Sequence, residues 1–149
     1  MAQTYFGSTL RAGSGSLTDS VDGGFVVMMQ SSTVTTAADG SATSTSVTIP
    51  AYSQIVSIFI DQVQNEVVGG GTATAINATV GTAAAGTQYV SATDVIGGGR
   101  AALTFTAAQL AAMADVGTNT GVFLTVDPDG TIATTQGIYR LTVVYAQKV

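Results

Sequence analysis

Nine carboxylates and four cationic side chains carry all the charge in this 149-residue chain, which has neither histidine nor cysteine. Its reactive repertoire is narrow as a result. Without imidazole the commonest general base and metal ligand is missing. Without a thiol there is no disulfide, thiolate nucleophile or soft-metal site. Oxygen ligands remain, and Asp127 and Asp129, with Asn119 near them in the chain, are the types that hold Ca²⁺. Yet Asp127-Pro128-Asp129-Gly130 also has the residue order of a type I turn, and no EF-hand spacing surrounds it. The turn is the simpler reading, so neither a metal nor a cofactor is expected.

The other acids lack the arrangement catalysis would need. Glycoside hydrolysis requires two carboxyl groups flanking a sugar cleft, whereas Asp61, Glu66, Asp94 and Asp115 fall in separate segments and tryptophan is absent. No serine occupies a Gly-x-Ser-x-Gly elbow or has a histidine to activate it. The triple glycines at 69–71 and 97–99 lack the Lys-Ser/Thr pair of a phosphate loop and open no βαβ unit. Arg11, Arg100, Arg140 and Lys148 are scattered, so no cationic patch is visible. Neither nucleic acid nor an anionic membrane is an expected partner. No catalytic residue is expected, and the chain does not read as an enzyme.

The elements that would hold these side chains are mostly strands. Residues 46–63 contain the densest β-branched run, Ile55, Val56, Ile58, Phe59 and Ile60, with Pro50 at its entry. Residues 25–34 read as a strand, with Met28 and Met29 as adaptable packing groups. Asp39-Gly40 supplies a tight hairpin turn, and residues 41–49 would pair back. Further strands are expected over 72–80, 88–92 and 101–105. Residues 122–126, the Asp127–Gly130 turn and the return at 131–133 read as a second hairpin. In the closing strand, 138–146, Tyr139, Leu141, Val143 and Tyr145 share one face while Arg140 and Thr142 take the other.

One helix stands out, over 106–116. Thr106 is a good N-cap and Gln109 completes a capping box, while Phe105 and Leu110 have the spacing of a hydrophobic staple. Leu110, Met113 and Ala114 would form the packed face, and Gly117 the left-handed stop. About eight short strands with one capping helix imply an all-β, antiparallel sandwich of jelly-roll type.

Residues 1–24, rich in Gly and Ser, have no sustained period; a loose terminus is the plainer reading, and an extended N-terminal arm that orders on a partner is the expected one. Tyr5, Phe6, Leu10 and Arg11 are its candidate contact residues. Residues 25–149 then form a single sandwich domain, long enough to bury a real core. The N-terminus lacks the pattern of a signal peptide and no apolar run approaches 18 residues, so cytoplasmic synthesis is the expectation. Only 9% of residues are charged, with one Glu and one Lys, and mean hydropathy is +0.41. A surface so weakly charged tends to associate, which predicts burial against identical subunits or a larger assembly.

Three stretches carry a family resemblance: TIPAYSQIVSIFIDQV, then GGGTATAINATVGTAAAGTQYVSATDV, then the closing IYRLTVVYAQKV. In their order they resemble the capsid decoration (cement) and head-fibre-type proteins of tailed bacteriophages, over residues 47–149. The resemblance implies a jelly-roll homotrimer on the capsid exterior, at threefold or quasi-threefold sites, clamping the major capsid protein. It brings no catalytic residues. The competing expectation is a receptor- or glycan-binding fibre or tail module, against which the absence of Trp and an aromatic content of 7% weigh.

Overall fold

Alternating apolar residues in the strands set two sheets face to face. The computed structural model describes residues 25–148. Its elements are β1 (Phe25–Thr35), β2 (Thr43–Ile49), β3 (Ser53–Gln64), β4 (Ile76–Gly81), β5 (Val90–Asp94), β6 (Gly99–Arg100), α1 (Ala107–Ala114), β7 (Thr120–Pro128) and β8 (Ile138–Lys148). Sheet A has the order β1-β8-β3-β6 and sheet B the order β2-β7-β4-β5, every pair antiparallel. First pairs with last, second with seventh, third with sixth and fourth with fifth. That is a doubled ribbon wrapped into a jelly roll, as the sequence predicts.

The core lies between the sheets. Ile55, Ile58 and Ile60 of β3 are buried against Val122, Leu124 and Val126 of β7 and Ile76, Ala78 and Val80 of β4, with Tyr139, Leu141, Val143 and Tyr145 from β8. The shared face expected for β8 is therefore correct. A bulge between Ile55 and Ser57 explains an irregular spacing in β3. It inserts one residue, so Ile55 and Ile58 both point inward while Val56 is exposed.

Both expected hairpins are wrong. β1 pairs with β8 and β2 with β7, so the Asp39-Gly40 corner carries the chain from one sheet to the other. Thr43 Oγ1 donates to the Thr35 carbonyl (2.8 Å), and Ser32 Oγ lies 2.5 Å from Thr45 Oγ1. Similarly, Asp127 and Pro128 end β7 rather than form a turn, and the chain crosses to β8 in sheet A. Turn residues license a reversal, but they do not choose the partner. Here the eleven-residue β8 gives β1 a partner along its whole length. Nor are residues 101–105 a strand; pairing continues only to Ala101, whose N–H reaches the Ile60 carbonyl at 2.9 Å.

The helix begins as expected. Gln109 N–H donates to Thr106 Oγ1 (3.2 Å), and Thr106 N–H donates to Gln109 Oε1 (2.8 Å). Its packed face differs, because Gln109 and Met113 are buried while Leu110 is 53% exposed and Ala114 is exposed. The helix is rotated so that the capping glutamine faces inward. Gly117 takes the left-handed conformation (φ 66°) but is not the helix stop, because the helix ends at Ala114 with an extended Asp115 as its C-cap. Gly97, Gly98 and Gly99 all have φ between 83° and 99°, a run that residues with a Cβ rarely sustain, which is why this turn is written in glycine.

Candidate functional site

Four of the seven acids among the described residues accept from backbone N–H groups. Asp39 accepts from Ser41 N (3.0 Å), Asp94 from Ile76 N (3.1 Å) and Ile96 N (3.0 Å), and Asp115 from Gly117 N (2.8 Å). Asp129 ties a distant loop to the end of β7, accepting from Thr74 Oγ1 (2.5 Å), Thr74 N (2.7 Å) and Ala75 N (3.0 Å). The Thr74 hydroxyl and these N–H groups hold its carboxyl below the usual range. The Ser41 hydroxyl and N–H do the same for Asp39.

The candidate Ca²⁺ ligands do not converge. Asn119 precedes β7 and accepts from Ala51 N (2.9 Å), while Asp129 lies beyond the far end of that nine-residue strand. At ~3.3 Å per residue the two ends are about 30 Å apart. Among the described residues, no group of three His, Cys, Asp or Glu side chains could hold a metal ion.

Glu66 enters a small network at one end of the sandwich. The buried Tyr139 hydroxyl donates to Glu66 Oε2 (2.8 Å), and Gln62 Nε2 donates to both Tyr139 Oη (3.0 Å) and Glu66. Burial, with the Glu66 carboxylate beside it, raises the Tyr139 pKa above its ordinary value. Such a phenol donates a hydrogen bond and stays neutral.

Asp61 is organised differently, on the outer face of sheet A. Register places Arg140 of β8 and Arg100 of β6 on either side of it. Arg100 donates from Nε to Oδ1 (2.8 Å) and from Nη2 to Oδ2 (3.4 Å), and Arg140 donates from Nη2 to Oδ2 (3.1 Å). The Arg100 guanidinium also lies 4.4 Å from the centre of the Phe59 ring, a cation–π contact. Arg100 first, and then Arg140, hold the Asp61 carboxyl below the usual aspartate range, against the opposing effect of burial. Two cations scattered in the chain thus meet in space. The Asp61 side chain is 13% exposed, but the arginines are 58% and 46% exposed, so guanidinium surface is left facing outward.

The cluster borders a depression of about 250 Å³ lined by Met29, Ser31, Phe59, Asp61, Arg100, Arg140 and Thr142. Beside it runs β1, an edge strand. Val27 and Met29 on its outer side are 65% and 68% exposed, and Val26 and Met28 on its other side are also exposed. An edge strand open on both faces with apolar side chains is a surface suited to being covered. The arrangement offers contact chemistry: guanidinium donors, an aromatic ring and methionines. Sequence reasoning missed this cluster. One usable signal was the outward position of Arg140 in β8, but nothing linked it to Arg100 before the register was known. The arm residues Tyr5, Phe6, Leu10 and Arg11 lie outside the described residues.

Among solved structures, the chain is similar to a protein of the cyanophage Pam1 capsid asymmetric unit, with a TM-score of 0.53, 19% sequence identity and 98% of each chain covered. At that identity the likeness is one of fold. No protein-family profile matches the chain. No curated protein matches it.

Proposed function

We propose that this chain is a structural virion protein that decorates and stabilises the outside of a tailed-phage capsid, as a homotrimer at threefold or quasi-threefold sites. The observation that carries this reading is the fold likeness, along 98% of both chains, to a protein of a cyanophage capsid. The exposed apolar edge of β1 and the 9% charge content support it, since a cement protein works through wide, weakly charged contacts. Its role is non-catalytic, and the protein is made in the host cytoplasm and ends on the particle. The partners are other copies and the major capsid protein. Residues 1–24 act as an extended arm to neighbouring subunits, anchored by Tyr5, Phe6, Leu10 and Arg11, whose ordering entropy is lost on docking. Buried apolar area contributes ~25 cal/mol per Å² before association costs, and several copies bridging neighbours add avidity.

The test uses capsids lacking the protein. Adding the full chain is expected to give stoichiometric occupancy and a higher rupture temperature; absence of binding refutes the reading. Deleting residues 1–20 is expected to leave the fold intact and reduce occupancy. Unchanged occupancy refutes the arm.

A further inference from the structure

Patches of opposite charge lie at one end of the sandwich, on opposite outer faces. On sheet A, Thr33 pairs with Arg140, Arg140 with Asp61 and Asp61 with Arg100, a row near the end where β1 stops at Thr35. On sheet B, Asp127 pairs with Asn77 and Asn77 with Asp94, a row at the end where Val126 meets Thr43. Thr43 is bonded to Thr35, so the two rows share one end of the molecule. Asp127 and Asp94 are both exposed, and among the described residues neither forms an ion pair.

We infer that the outer face of sheet A is a subunit contact, covered in the assembly by the Asp127 face of a second copy. This rests on the reading of the chain as a self-associating coat component and names the surface that associates. Charge complementarity selects the occupant. Two copies meeting sheet A on sheet A through a twofold would set arginines against arginines, and the Asp127 face meeting itself would set acids against acids. Only a head-to-tail contact matches unlike charges. Such a contact is heterologous, and with the two patches on opposite faces it sets successive copies side by side. Because both rows sit at the same end, a rotation about an axis roughly along the strands keeps them level. The remaining parts have the anatomy of an interface, with Val27 and Met29 as apolar contacts and the arginines as a charged margin. Arg100 is already held by Asp61 and Phe59, so little side-chain freedom is lost when it docks.

The experiment is native mass spectrometry of the full chain at micromolar concentration, with Asp127→Arg, Arg140→Gln and their equimolar mixture. Arg140→Gln leaves the Arg100–Asp61 pair in place, and circular dichroism confirms that each variant is folded. Each variant alone is expected to associate at least about tenfold more weakly than the parent. The mixture is expected to recover a two-chain species, because the arginine face of one variant still fits the acidic face of the other. Raised salt should weaken the parent assembly. A monomeric parent, variants that assemble like the parent, or a mixture with no recovered pair overturns the inference. Capsid occupancy is measured in parallel: a parent that binds particles while the masses contradict the contact overturns only this interface, whereas failure to bind particles overturns the proposed function by itself.

Discussion

Gln109 performs two separable tasks, and a matched set of substitutions can measure each. Its Oε1 accepts from Thr106 N–H to close the capping box, while Nε2 donates to the Thr87 carbonyl (3.2 Å) and to Ser91 Oγ (3.0 Å), tying the helix to the segment around β5. Gln109→Ala removes all three bonds, at ~0.5–1 kcal/mol net each because Thr87, Ser91 and Thr106 can rehydrate. It also removes two buried methylenes worth ~0.8 kcal/mol each. Alanine's higher helix propensity returns a few tenths. The expected loss is ~3 kcal/mol, or a fall in Tm of ~6–12 °C for a domain of this size. Thr106→Ala, which removes one capping bond, should cost only ~1 kcal/mol. Gln109→Glu should fall between them, at ~2 kcal/mol: it keeps the acceptor at the helix N-terminus but sets a carboxylate against the Thr87 carbonyl. Urea denaturation followed by circular dichroism at fixed protein concentration reads all three. Equal losses for Gln109→Ala and Thr106→Ala would refute the reasoning, since the ties to Thr87 and Ser91 would then contribute nothing.

Three other outcomes follow from the packing and charge. Met113→Ala should cost ~2–4 kcal/mol as a buried large-to-small change, whereas Leu110→Ala on the exposed side should cost under ~0.5 kcal/mol; reversed values in the same denaturation assay would mean that the helix packs through its other face. Asp61 has a depressed pKa, so its pairing stabilises the fold above the ordinary aspartate value near ~3.9 and is lost as pH falls through the lower folded-state value. The stability gap between the parent and Asp61→Asn should thus be level at neutral pH and close on acidification, and a gap unchanged down to strongly acid pH would contradict the ion-pair account. Gly81→Ala should destabilise the β4–β5 connection, because a Cβ there would lie 2.5 Å from the Gly86 carbonyl carbon; limited proteolysis of that loop equal to the parent's would show that the backbone can give way.

Short-range physics is what the sequence made legible. The run of Ile55, Ile58 and Ile60, the alternation of Tyr139, Leu141, Val143 and Tyr145, and the capping pair Thr106 and Gln109 each encode their element within a dozen residues. The sandwich class and the absence of histidine and cysteine chemistry follow from the same reading. Where the sequence misled, the missing information was the partner. Asp39-Gly40 and Asp127–Gly130 carry turn chemistry that serves a hairpin and a crossover equally well. The expectation that Leu110 packs inward fails because a short helix of alanines leaves its rotation nearly degenerate. The buried hydrogen bonds of Gln109 resolve it.

Fold class, the long strands and the helix start were determined by the sequence alone, because hydrophobic period, β-branching and capping act between near neighbours; the expected strand at 101–105 was not among them. Strand order, the inward turn of Gln109, and the meeting of Arg100, Asp61 and Arg140 were decided only by the tertiary structure. Those three charges come from β6, β3 and β8, up to 79 positions apart. Only the register of paired strands, set by burying one face of each, brings them to one row.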